Sequence, residues 1–160
     1  MSENGFKTMF PNPEDKMGYL IWQINMLWVK KVNQSLQDIG LTHTQLITLA
    51  ATEWLNFEKE HVIQRDLALK MKVDRMLVSK LVSKLVDAQL IKKKKSEEDS
   101  RVNLLSLTGS GRELLMDAIV IMKKNEREFF GLVEEDLPDL VKKLKKLYLL
   151  AEEDASNSNH

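Results

Sequence analysis

The chain has no cysteine, which excludes disulfides, thiol redox sensing and any thiolate metal site. It has no apolar run near the roughly 18 residues that a membrane span needs, and no signal-peptide pattern at its N-terminus. A cytoplasmic protein without a membrane partner is the expectation. Its three histidines, His43, His61 and His160, are scattered, with no carboxylate–histidine spacing of a metal site. Gly109-x-Gly111 opens a helix without the lysine or the strand of a phosphate loop, and Ser79 has no evident base beside it. Neither an enzyme nor a bound cofactor is expected. The net charge is zero, which taken alone argues against a nucleic-acid binder.

The distribution of charge argues the other way. From Val62 to Arg101, eight lysines and three arginines face four Asp and two Glu, a surplus of five cations that the remainder of the chain cancels. A neutral protein with one cationic segment can steer that segment toward a polyanion.

Within the segment, apolar pairs fall at Leu77/Val78, Leu81/Val82 and Leu85/Val86, the step of a helix with one buried face. Asp74 is placed to cap its first turn. Arg75, Met76, Ser79, Lys80, Ser83, Lys84 and Asp87 share the opposite face. Alone, this is better explained by a solvated surface helix. The next residues change the balance: Leu90–Lys95, with four consecutive lysines, then the polar tip Ser96–Arg101, then Val102–Leu107. Two short strands around a charged tip make a hairpin. A basic-faced helix followed by a basic hairpin is the layout of a winged helix-turn-helix.

The surrounding elements are helical. Residues 1–13 read as an irregular, flexible arm. From about Glu14 the apolar positions Met17, Leu20, Ile21, Ile24, Leu27, Trp28, Val32, Leu36 and Ile39 keep a helical step until Gly40 offers a left-handed stop. Thr42 and Gln45 suit a capping box for a second helix, and a short third helix carries Leu67, Ala68 and Met71. Ala68 is small where crossing helices come close. After the hairpin, Thr108 caps a long helix in which Gly109 and Gly111 are tolerated but weakening. A last helix from near Pro138 places Leu140, Val141, Leu144, Leu147 and Tyr148 on one side. The tail, residues 152–160, is expected to be disordered. The long first and last helices carry more apolar surface than one compact lobe covers, so a two-fold partner is the simple cover. One 160-residue core suffices for a single domain over 14–151.

The order of elements and motifs resembles the MarR family of dimeric winged-helix regulators. The match runs from about Leu20 to Ala151. It rests on Leu41-Thr42-x-x-Gln45, Asp66-Leu67-Ala68, Val78-Ser79-Lys80-Leu81-Val82, Leu90-Ile91, Asp99-x-Arg101 and Leu107-Thr108-x-x-Gly111, in that order.

The resemblance implies a mainly α fold with a small β-hairpin wing. Residues 14–40 and 109–151 would be dimerisation helices and 42–108 the DNA-binding lobe. It also implies a homodimeric, sequence-specific transcription regulator on a near-palindromic duplex, a repressor in preference to an activator, though these residues do not distinguish the two. The helix from Asp74 would enter the major groove and the wing would reach the flanking minor groove. The DNA-binding residues would be Arg75, Met76, Ser79, Lys80, Ser83, Lys84, Lys94, Asp99 and Arg101, with Asp99 orienting the Arg101 fork for a narrow groove. A small-molecule effector between the lobes is a further implication; Trp22, Trp28, Trp54, Met17, Met26 and His43 could line its space, or be ordinary core. Two departures stand out. Gln89 occupies a position where glycine is usual. Lys80 and Lys84 replace arginine, which suits phosphate contact better than guanine readout. Arg75 can reach either a base edge or a phosphate. The reading from another class is a winged-helix protein–protein module that has lost DNA binding.

Overall fold

The computed structural model describes residues 14, 16–99 and 101–157. The expected arm over 1–13, Ser100 of the hairpin tip and residues 158–160 lie outside the described residues. The main elements, in chain order, are the helices α1 (Met17–Leu36), α2 (His43–Glu58), α3 (Gln64–Met71) and α4 (Arg75–Asp87), the strands β1 (Ile91–Lys95) and β2 (Asn103–Leu107), then α5 (Gly109–Phe130) and α6 (Leu137–Asn157). Short 3-10 turns follow α1, at Gln37–Ile39, and α5, at Gly131–Val133. The result is the mainly helical fold with a two-stranded wing that the sequence predicts.

The chain divides into two compact units, with the boundary between Met122 and Lys123, inside α5. The first unit holds the core. Val32 and Leu36 of α1, Leu46 and Leu49 of α2, Leu67 of α3 and Val78, Val82 and Leu85 of α4 are buried with Ile91, Leu105 and Leu107 of the hairpin. Leu115 and Ala118 bring the start of α5 into the same cluster. Only the last turns of α1 take part. Met17, Leu20, Ile21, Ile24 and Leu27 stay exposed.

The local signals act where expected. Gly40 adopts φ 70, and its amide donates to the Gln37 carbonyl at 3.0 Å. Thr42 and Gln45 form a complete capping box, the Gln45 amide donating to Thr42 Oγ1 and the Thr42 amide to Gln45 Oε1 at 2.9 Å. In the second unit α6 has no buried residue, and a groove of about 830 Å³ is lined by residues including Phe130, Leu137, Leu140, Val141 and Leu144. Helix α6 also runs on to Asn157, through residues expected to be disordered. Ala151, Glu152, Glu153 and Ala155 favour helix, and Ser156 Oγ donates back to the Glu152 carbonyl at 2.8 Å. Among the described residues no helix is long and apolar enough to cross a membrane.

Candidate nucleic-acid interface

The site is built on α4. Its N-terminus is fixed by Asp74, whose Oδ1 accepts from the Leu77 amide at 2.8 Å. Val78, Leu81, Val82 and Leu85 turn inward. The expected outer face is present: Arg75, Met76, Ser79, Lys80, Ser83 and Lys84 are all exposed. The helix is aimed by the turn before it. Lys72 takes a left-handed φ of 55, and its amide donates to the Ala68 and Leu69 carbonyls, ending α3. Ala68 is buried where α3 packs. Asp66 Oδ2 caps α3 through the Ile63 amide at 2.8 Å and pairs with Lys59 Nζ at 2.6 Å. Burial pushes the Asp66 carboxyl up, yet these bonds and the Lys59 and Arg65 charges outweigh it and hold it below its ordinary value.

The hairpin pairs antiparallel, with Lys92 opposite Ser106, Lys94 opposite Leu104 and Lys95 opposite Asn103. All four lysines of β1 are exposed. Two contacts hold the wing against the lobe. The Leu105 amide donates to the Val62 carbonyl at 2.8 Å. Asn56 Nδ2 donates to the Leu105 carbonyl at 3.3 Å and to the Thr52 carbonyl at 2.7 Å. Asn56 escapes sequence reading because its partner lies far along the chain and a lone Asn near a helix end looks like a breaker. Behind the wing, Thr108 Oγ1 donates to the Gln89 carbonyl at 2.7 Å and accepts from the Gly111 amide at 2.9 Å. Gln89 itself stands at φ 58, the conformation for which glycine is the usual residue.

At the tip, Asp99 Oδ1 accepts from the main-chain amide of Arg101 at 2.9 Å, an Asx-type contact. Ser96, which is buried, accepts at Oγ from the amides of Glu98 and Asp99. The Arg101 side chain is exposed. Lys94 is already engaged: its Nζ lies 2.9 Å from Glu97 Oε1. That bond raises the Lys94 pKa and lowers that of Glu97. The sequence pattern does not reveal this partner of Lys94.

The six residues considered for an effector space are not gathered. Trp54 is exposed, with Lys70 Nζ 5.5 Å from its ring centroid and its Nε1 donating to Glu58 at 2.5 Å. Met17, Trp22 and Met26 are exposed along α1, Trp28 packs partly on the core, and His43 is half-buried. Burial lowers the His43 pKa. Among the described residues no group of three or more His, Asp or Glu could hold a metal ion.

Comparison with known proteins places this geometry. The family profile described as transcriptional regulator SarA/Rot matches residues 30–119, from the end of α1 into α5. An uncharacterized HTH-type transcriptional regulator, YdcH of Bacillus subtilis, is 34% identical over 122 residues, which are 76% of this chain and 83% of the relative. The organic hydroperoxide resistance transcriptional regulator of the same organism is 26% identical, over 94% of this chain and 95% of its own. Among solved structures, a MarR mutant from E. coli complexed with operator DNA matches at a TM-score of 0.74 and 19% identity, over 89% of this chain and 96% of that one. The S. aureus MepR–DNA complex matches at 0.73 and 24% identity, over 83% and 96%. The fold is that of the MarR regulators.

Proposed function

Because the chain belongs to the SarA/Rot family of transcriptional regulators, we propose that it binds duplex DNA sequence-specifically as a homodimer. The observation that carries the reading is the exposed face of α4, where Arg75, Lys80 and Lys84 flank two hydroxyls, continued by the exposed lysines of β1. Helix α4 enters the major groove with its N-terminal residues toward the bases. Lys80 and Lys84 meet phosphates, and the wing carries Arg101 to the flanking minor groove.

The dimer is supported by uncovered apolar surface. Leu20, Ile21, Ile24 and Leu27 on α1 and Leu140, Leu144, Leu147 and Tyr148 on α6 are each at least 39% exposed. Fully burying such a side chain is worth about 1.5–3 kcal/mol, of which roughly half remains to be gained at these exposures, and a second copy covers them with no new sequence. Residues 14–40 and 109–151 are therefore the dimerisation helices and 42–108 the DNA-binding lobe. A dimer with two copies of α4 reads a near-palindromic site. Repression is its simplest output, since a bound dimer excludes other proteins from the duplex.

The test is a binding titration of the full chain on promoter fragments of its own and neighbouring genes, with light scattering for mass. A dimer touching roughly 6–10 phosphates loses about 10³–10⁵ in affinity between 50 and 200 mM salt. Lys84→Ala flattens that dependence on all sequences alike. A folded dimer indifferent to every duplex would turn the reading toward a protein–protein module.

A further inference from the structure

We propose that Met76 reads the 5-methyl group of a thymine, so that α4 selects one T·A pair of fixed orientation in each half-site. The inference rests on the DNA-binding reading and names a specificity-determining residue within it. At about 100° per residue, Met76 and Ser83 lie at the middle of the exposed face, while Arg75 and Lys84 mark its two edges. Every other large apolar residue of α4 except Leu77, at 37%, is turned inward; Met76 is 69% exposed. A thioether on a face otherwise made of hydroxyls, cations and the carboxylate of Asp87 gives no stability to this chain. It is also ill-suited to a purely electrostatic contact.

The major groove explains it. Each base pair presents donors and acceptors there, and the thymine methyl is the one apolar group among them. Methionine has no donor and only a weak acceptor. Set against the polar edge of guanine, adenine or cytosine, it would strip water from groups that it cannot satisfy. Set against a methyl, it buries apolar surface on both sides. Its three rotatable bonds let it settle into an irregular apolar gap. The position suits the task, since the first turn of a recognition helix approaches the bases most closely. The flanking cations supply the complementarity that holds this face on a polyanion.

The experiment starts from a duplex selected by the full-length protein out of a random pool. Each thymine is then replaced singly by deoxyuridine, which removes the methyl and keeps the pairing. One thymine per half-site should cost about fourfold in affinity, the value of one methyl-sized group. Met76→Ala removes the contact in both half-sites of the dimer, so it should lose about 16-fold, the square of that factor, on the thymine duplex, lose none on a duplex carrying deoxyuridine at that position in both half-sites, and leave the salt dependence and melting temperature unchanged. Deoxyuridine without effect at every position, or with equal effect in Met76→Ala, would overturn the assignment while leaving DNA binding intact. If no duplex is enriched from the pool at all, the DNA-binding reading falls and this inference with it.

Discussion

Gly111 and Leu90 meet so closely that a Cβ on the glycine would stand 2.0 Å from the Leu90 carbonyl oxygen. No side chain fits there without moving the backbone that leads from α4 into the wing. Glycine at this point is a requirement of the contact, more than a helix-weakening residue that the fold tolerates. Gly111→Ala should destabilise by about 1–3 kcal/mol or more, as overpacking does. It should also weaken DNA binding, because the start of the wing must shift. Gly109→Ala, where nothing lies within 4 Å, is the control and should melt near the wild-type temperature. Equal melting of the two variants would contradict the contact.

Gln89 offers the opposite case. Its φ of 58 is held by a turn whose carbonyl accepts from both Thr108 Oγ1 and Ser110 Oγ. A non-glycine residue loses roughly 1–2 kcal/mol in that conformation, partly offset because glycine loses more entropy on folding. Gln89→Gly should therefore raise stability by up to about 1 kcal/mol, the balance of those two effects, read as a higher melting temperature. A drop would mean that the Gln89 side chain contributes contacts of its own.

These two residues mark how far the sequence could be read. The α4 helix, its Asp74 cap, the Thr42 box and the paired strands were legible because each depends on neighbours within four residues or on a simple alternation. Gln89 was legible as an anomaly. Gly111 was not, since its need arises from the carbonyl of Leu90, far back along the chain, which only folding brings near. Asn56, whose partner Leu105 is more remote still, was missed for the same reason. The Asp99–Arg101 pair was recognised by spacing, but spacing does not say whether a carboxylate takes the guanidinium or the amide. The exposure of Trp54, which was considered for a ligand space or the core, depends on how α2 and α3 cross.

The Lys94–Glu97 pair bears on affinity. Glu97 holds a wing lysine that would otherwise be available to a phosphate. Glu97→Gln should tighten binding to any duplex and steepen the salt dependence by about one counterion per subunit. Binding titrations at several salt concentrations check it. Unchanged affinity and slope would mean that Lys94 lies away from the DNA.

Acid should destabilise the lobe in two windows. Burial lowers the His43 pKa below 6.5, so the unfolded chain takes up that proton first, and stability begins to fall as pH drops through that ordinary value. Asp66 is held below its ordinary value of 3.8. Its contribution is complete above that value and is lost as pH falls through the lower, folded-state one. Asp66→Asn should lower stability at neutral pH and remove the loss at the acid end, leaving the His43 window in place. Chemical denaturation across the pH range would show both. An acid limb identical in Asp66→Asn would place the titrating group elsewhere.

The last prediction separates two roles for Asp99. Its Oδ1 accepts from the Arg101 amide, an interaction that an asparagine carbonyl can also make. Asp99→Asn should thus keep the tip folded and, with one negative charge removed beside the groove, bind DNA as well as the wild type or better. Asp99→Ala loses the turn and should bind less well, with the deficit greatest on sites with A·T-rich flanks, whose narrow minor groove rewards a well-placed arginine. Arg101→Ala should show the same flank dependence and a larger loss, at nearly unchanged melting temperature. If Asp99→Asn fell as far as Asp99→Ala, the carboxylate charge would matter in its own right, and Asp99 would act by orienting the guanidinium. Titrations of the three variants on duplexes that differ only in their flanks decide between the two.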